Sequence, residues 1–268
     1  MSGRINKNRE NQIVIMDFSG VYREEAFWQG QQAVWVDARD IAGTNCYCDG
    51  EAAAEILSRT EKFGPEGIHF IDSGNYHYMS RLWLGKISGP FRLLVFDNHT
   101  DMQLPAFGGL LSCGGWIGAS LVELDDLKEV ILIGPDQDAY DQVEDEFKKK
   151  VHFLSREKLF ETTEEEICRF LRSRLEKDAL PLYISIDKDV LAPGQADTTW
   201  SQGDMLLDEL LFWLEQTEIC VKNSSGGLIG VDICGECDVQ TGGNHAINDS
   251  ANERLLQFFT DGYECDKL

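Results

Sequence analysis

The most constraining feature of this chain is the stretch Phe91-Arg-Leu-Leu-Val-Phe-Asp-Asn-His-Thr-Asp101. Leu93, Leu94, Val95 and Phe96 make a continuous apolar run, which suits a strand covered on both faces. Asp97, His99 and Asp101 follow at a spacing of two. In an extended segment such residues share a face, so the spacing predicts two carboxylates and an imidazole converging just past the strand. Open α/β sheets build their sites at such strand ends. A second stretch, Leu182-Tyr-Ile-Ser-Ile-Asp-Lys-Asp-Val190, repeats the arrangement with Asp187 and Asp189.

The rest of the chain reads as strands and helices in alternation. Strands are expected at 13–18, 33–36, 67–71, 129–134, 151–153, 181–186 and 227–232. Helices are expected at 51–63, 76–86, 117–124, 138–150, 163–177, from just after 204 to about 216, and 248–259. Thr163-Glu-Glu-Glu166 is a capping box for one of them. Residues 1–11 read as a polar lead-in, and 108–116 as a glycine-rich segment. No linker or repeat interrupts the alternation, which predicts one domain over 1–268. The expected fold is a three-layer α/β/α arrangement around a mainly parallel sheet. Right-handed crossovers would then put the ends after 71, 96, 186 and 231 on one edge.

Composition narrows the partners. Lys plus Arg number 24 against 47 Asp plus Glu, a net charge of −23. That surface disfavours nucleic acid and anionic membranes and favours cations. No apolar run reaches the ~20 residues of a membrane span, and the polar N-terminus lacks a signal-peptide core. A cytoplasmic location is expected. The eight cysteines are irregularly spaced, which suits reduced thiols better than a disulfide framework. Cys234-x-x-Cys237 could be a redox pair or half a zinc site, and only Cys46-x-Cys48 is present to complete the latter.

Asp97, His99, Asp101, Asp187 and Asp189 would be costly neighbours without a cation, because four adjacent carboxylates repel. A set of carboxylates with one imidazole suits hard first-row ions such as Mn or Fe(II). It is also larger than one ion needs, which points to a two-metal site.

The motifs FDNHTD and SIDKDVLAP resemble those of the ureohydrolase family of arginase, agmatinase and formimidoylglutamase, D-A-H-x-D and S-x-D-x-D-x-L-D-P. The resemblance covers roughly 65–240 in motif order and spacing. It implies an arginase-like hydrolase with two Mn(II) ions, Fe(II) or Co(II) being alternatives. It also implies cleavage of a guanidino or amidino C–N bond by metal-bridging hydroxide. Ser73-Gly-Asn-Tyr-His-Tyr78 falls where the family has G-G-D-H-S, so His77 joins Asp97, His99, Asp101, Asp187 and Asp189 as a metal ligand. Asp97 and Asp187 would bridge, His77 and Asp101 would complete one site, and His99 and Asp189 the other. Asp101 would orient the hydroxide and pass a proton to the leaving amine.

Several departures bear on substrate. The proton-shuttle His of arginases is absent from Leu111-Ser-Cys-Gly-Gly115, where Cys113 lies nearest and is the candidate nucleophile or proton carrier. The family's E-V-N-P segment is here Asp232-Ile-Cys-Gly-Glu-Cys-Asp238. Glu236 is the candidate guanidinium-pairing carboxylate, with Asp232 as the fallback. No clear acid falls near Arg156-Glu-Lys158, where arginases hold the amino-acid head group. The expected substrate is therefore a guanidino group on a small molecule other than arginine, or on a peptide side chain. A formimidoyl or amide-type reaction, and a non-catalytic metal-binding role, are the alternatives, and assembly of identical chains stays open. Lys188 should point away from the ligands, towards a surface carboxylate. The 45–47 turn and the 198–201 loop are expected to rim the pocket.

Overall fold

The computed structural model describes residues 12–105, 109–239 and 242–261. The lead-in at 1–11, Gly108 and Cys265 lie outside them. Eight strands form one sheet in the order β2-β1-β4-β10-β9-β5-β7-β8. They are β1 (Ile13–Asp17), β2 (Ala33–Asp37), β4 (Gly67–Phe70), β5 (Phe91–Phe96), β7 (Leu127–Ile133), β8 (Val151–Leu154), β9 (Leu182–Asp187) and β10 (Leu228–Cys234). Every pairing between them is parallel. Two short strands, β3 (Tyr47–Cys48) and β6 (Leu111–Ser112), pair antiparallel in a separate ribbon.

The helices are α1 (Gly50–Arg59), α2 (Met79–Leu84), α3 (Trp116–Glu123), α4 (Gln137–Asp141), α5 (Asp145–Lys148), α6 (Arg156–Leu159), α7 (Glu164–Leu175), α8 (Leu207–Ser224) and α9 (His245–Asp261). All six residues of β5 and all six of β9 are buried. Their side chains divide between two apolar clusters, one on each face of the sheet: Leu94 and Phe96 lie in one, Leu93 and Val95 in the other. This is the three-layer α/β arrangement expected for apolar strands without a polar face.

The chain runs outward from β1 to β2, returns to β4, and then skips two positions to β5. β9 and β10 fill that gap last. The strand order therefore reverses around the β4-β10-β9-β5 group, and a crevice at such a reversal is where α/β sheets bind ligands.

Local structure departs from the sequence reading in several places, among them the end of α1 at Arg59 rather than 63 and the unexpected α6. The charged helix expected over 138–150 is two short helices, α4 and α5, with a break at Gln142–Glu144 between them. The helix expected over 76–86 begins with a 3-10 turn, Gly74–Tyr76, before α2. α8 extends to Ser224, two turns beyond the expected end, carrying Thr217, Cys220 and Val221 into the core. The β3–β6 ribbon was not foreseen, since a two-residue ladder has no periodicity to detect. The capping box is present as expected, with the Thr163 side chain accepting from Glu166 N. Among the described residues, no helix is long and apolar enough to cross a membrane.

Candidate metal centre

The adjacent ends of β5 and β9 deliver the acidic residues to one crevice, and the segment after β4 brings His77 to them. Asp97, Asp101, Asp187, Asp189 and His77 are buried, whereas the His99 side chain is 33% exposed and marks the open side. Strand alternation is not what brings the acids together. β5 ends at Phe96, and the chain then turns, with His99 N donating to Asp97 Oδ1 at 2.6 Å. The second pair turns in the same way: Asp189 N donates to Asp187 Oδ1 at 2.9 Å, within a 3-10 turn at Lys188–Val190. Asp101 closes the first turn at φ 47°, a left-handed conformation that costs a non-glycine residue energy. Backbone N–H groups of Ile117 and Gly118 donate to Asp101 O, and Trp116 Nε1 donates to Asp101 Oδ2 at 2.7 Å. The start of α3 thus holds this strained aspartate in place.

His77 is the centre of the cluster. Its Nδ1 lies 3.3 Å from Asp97 Oδ2, 3.2 Å from Asp101 Oδ2 and 3.3 Å from Asp187 Oδ2. Its Nε2 meets Ser185 Oγ at 3.0 Å, and Ser185 in turn donates to Asp232 Oδ1 at 2.6 Å. A hydroxyl has one proton to give. With that proton on Asp232, Ser185 accepts from His77, so Nε2 carries hydrogen. Nδ1 then faces three carboxylates with a lone pair, unless a proton or a cation intervenes. On the other side, His99 Nδ1 sits 2.8 Å from Asp189 Oδ2 and 3.5 Å from Asp97 Oδ1, while His99 Nε2 meets Ser201 Oγ at 2.9 Å.

The protonation states reflect the same frustration. Burial opposes a charge on His77, but Cys234, Asp101, Asp187 and Asp97 outweigh it and hold its pKa well above the ordinary value. Burial likewise opposes charge on His99, and bonding to Asp189 and Asp97 overcomes it, raising the pKa to about 12. Burial, helped by the Asp97 charge, pushes Asp101 up to about 7. Burial with the charges of Asp187 and Asp97 holds Asp189 well above the usual carboxylate range.

A divalent metal fits this donor set. Among the described residues, three groupings have ligand atoms within 4.8 Å of one another: His77, Asp97 and Asp101; Asp97, His99 and Asp189; and His77, Asp187 and Cys234. The first two share Asp97, as a bridging carboxylate would. Asp97 Oδ2 is buried without a hydrogen-bond partner. Oxygen-rich ligation with two imidazoles is the chemistry of hard to borderline first-row ions.

Other expected residues are placed differently. Glu236 is fully buried and faces away from the crevice: Lys188 Nζ and Asn252 Nδ2 both donate to Glu236 Oε1, the latter at 2.8 Å. It is therefore not the open carboxylate expected to pair a guanidinium. Lys188 does point away from the ligands, but its partners are Glu236 and Asn252 in the interior rather than a surface carboxylate. Cys113 lies near Asp101, yet burial and the Asp101 charge push its thiol up to about 12. That thiol is neutral near pH 7. Cys234 and Cys237 are not a pair. Cys234 Sγ donates to Ser73 O at 3.2 Å and joins the His77 cluster, while Cys237 Sγ meets His245 Nδ1 at 3.4 Å. Asp232, the fallback carboxylate, stands behind His77 through Ser185.

The mouth is formed by the two expected loops. Trp200, 42% exposed, lies 5.9 Å from the His99 ring, and its Nε1 donates to Asn75 Oδ1 at 3.0 Å. Asn75 in turn donates to Asn45 Oδ1 at 3.0 Å. Gly74 is required beneath them: a Cβ there would stand 2.6 Å from Trp200 Cδ1 and 3.3 Å from Asp187 Oδ2. Sequence reasoning missed the supporting roles of Trp116, Ser185 and Gly74. Only Ser185 had a local signal, sharing the inward face of β9 with Asp187.

The Arginase family model matches residues 67–248. This chain belongs to the arginase family. An uncharacterised protein of Thermotoga maritima is 32% identical over 230 residues, 84% of this chain and 80% of that protein. Among solved structures, the proclavaminate amidino hydrolase of Streptomyces clavuligerus superposes with a TM-score of 0.66 at 16% identity, over 94% of this chain and 91% of the other. Formimidoylglutamase from Bacillus subtilis gives 0.66 at 15% identity, over 95% and 87%. At these identities the structural likeness is one of fold.

Proposed function

We propose that this arginase-family chain is a single-domain, two-metal hydrolase that cleaves a guanidino or amidino C–N bond, with Mn(II) as its metal. The observation that carries the reading is the tautomer of His77. With the Ser185 proton on Asp232, Nε2 carries hydrogen, and Nδ1 is the nitrogen left for a metal, within 3.3 Å of Asp97, Asp101 and Asp187. Without a metal a proton on His77 answers those carboxylates, and a metal ion there would take that proton's place.

His77, Asp97 and Asp101 would hold one ion, and His99, Asp97 and Asp189 the other, with Asp187 beside His77. When bound, such ions supply Lewis acidity and activate water for attack on an electron-poor carbon. Asp101 sits at the centre with its Oδ2 fixed by Trp116 Nε1. It can take a proton from the attacking water and deliver it to the departing amine, the work of a general base and acid. Ser185 and Asp232 keep His77 in one tautomer, and Ser201 orients His99. Among the described residues, the polar groups at the mouth are the amides of Asn45 and Asn75 and the indole of Trp200. This favours a guanidino carrier other than arginine, including a peptide side chain.

Reconstitution with Mn(II), metal analysis and a panel of guanidino, amidino and formimidoyl compounds, read by urea and by ammonia release, test the proposal. Turnover should track bound metal and fall by about 10²–10⁴-fold in Asp101→Asn. Fewer than about one ion per chain after reconstitution would sink the two-metal reading.

Metal uptake should also release protons. His77 and His99 are held protonated in the metal-free chain, whereas a metal needs neutral imidazole. Adding Mn(II) in weak buffer near pH 7 should acidify the solution, and a His99→Gln variant should release fewer protons per ion bound.

A further inference from the structure

We propose that Cys46 and Cys113 form a reversible dithiol–disulfide site that straps the mouth of the crevice. They come from distant parts of the chain and meet in the β3–β6 ribbon. The ribbon pairs Tyr47 with Ser112 and Cys48 with Leu111, so the next antiparallel pairing sets Cys46 opposite Cys113. Cys113 N donates to Cys46 O at 3.0 Å, so the two backbones stay bonded just past the ladder, where Cys46 turns at φ 61° and Cys113 opens a 3-10 turn. Two residues joined by a backbone hydrogen bond keep their Cα atoms within about 7 Å, the limit a disulfide can bridge. Burial raises the Cys46 thiol, and the neighbouring Cys113 thiol offsets part of that rise.

The third cysteine of the ribbon does not compete. Cys48 is buried, and its Sγ donates to Asp49 O at 3.7 Å. Cys46 is half-buried and Cys113 buried, so an outside reagent meets Cys46 first.

The site takes a low-molecular-weight disulfide as its oxidant. The Cys46 thiolate attacks one sulfur of that disulfide and expels one thiolate, leaving a mixed disulfide on Cys46. Cys113 then attacks Cys46 Sγ, and its proton passes to the second departing thiolate. The protein loses two electrons and two protons, and the reagent becomes two thiols. The new bond joins the turn carrying Asn45, which contacts Asn75 at the mouth, to the residues just before Trp116, which holds Asp101. Oxidation thus fastens the two sides of the rim.

Oxidised glutathione with the full chain, followed by peptide mass mapping without reduction, tests this. The expected result is a Cys46–Cys113 linked peptide that dithiothreitol reverses. In Cys113→Ser, glutathione should instead remain attached to Cys46, because no resolving thiol is left. Amide hydrogen exchange at 44–48 and 111–115 should slow by about tenfold or more on oxidation. A wild-type map showing stable glutathione on Cys46, or linkage to another cysteine, would overturn the site, and this map decides even where Cys113→Ser does not fold. Unchanged exchange in the linked protein would overturn the strap. Neither readout depends on metal or turnover, so the result stands apart from the proposed hydrolase activity.

Discussion

Replacing Lys188 with methionine should destabilise the fold by about 3–5 kcal/mol, the cost of breaking a buried ion pair from one side. Lys188 and Glu236 are both fully buried and bonded to one another. Asn252 of α9 ties them together, accepting from Lys188 Nζ at 2.9 Å and donating to Glu236 Oε1 and to Glu25 Oε2, each at 2.8 Å. Removing the ammonium leaves Glu236 buried beside Glu25 with no cation. Chemical denaturation of the metal-free protein at pH 7 measures the loss. A double variant, Lys188→Met with Glu236→Leu, should recover much of it, because no charge is then stranded. A loss below about 1 kcal/mol would show that Glu236 absorbs the change by taking up a proton.

Glu25 supplies the contrasting case. Burial and the Glu236 charge raise its pKa from 4.5 to about 10, so it is a neutral acid at pH 7. A raised carboxyl pKa means that the folded state holds the proton more tightly. Its stabilising contribution is complete below pH 4.5 and disappears as pH rises through about 10. Glu25→Gln has no proton to lose. It should be nearly neutral at low pH and should lose less stability than the parent between pH 7 and 10.

Saturating Mn(II) should stabilise the protein by about 2.7 kcal/mol at a hundredfold excess over Kd. Asp97→Asn should abolish most of that gain, because Asp97 is shared by two of the ligand groupings. The size of the gain should rise with pH. The His99 pKa is raised from 6.5 to about 12, so its contribution to the metal-free fold is complete below pH 6.5 and vanishes as pH rises through about 12. Metal competes with that proton. Thermal melts with and without Mn(II) should diverge more at pH 8.5 than at pH 6. Equal shifts at both values, or an undiminished shift in Asp97→Asn, would contradict the assignment.

Much of the ligand set was legible because the signal is local. An apolar run such as Leu93 to Phe96 has to be covered on both faces, and acids directly after it have to sit at a sheet edge. The same logic located Asp187 and Asp189 after Ile184 and Ile186. The reason for their convergence was not legible: turns bonded to Asp97 Oδ1 and Asp187 Oδ1, rather than a shared strand face, aim the side chains. Position in sequence was also a poor guide to Glu236. It lies two residues past the end of β10, yet Lys188 draws it into the interior instead of towards the crevice.

The parallel α/β class and the residues that could gather around a cation are readable from the order of amino acids. Both follow from apolar periodicity and the short-range spacing of acids, which act within a few residues. Tertiary structure alone decided which side chains serve that cluster and which do not. Ser185 and Asp232 set the His77 tautomer from the neighbouring strands β9 and β10. Trp116 clamps Asp101 from a helix start fifteen residues on. Lys188 and Glu236 withdraw into a network with Asn252 and Glu25, and Cys46 faces Cys113 across a two-residue ribbon. In each case the chemistry of a side chain depends on burial and on partners distant in sequence, and the packing of the chain supplies both.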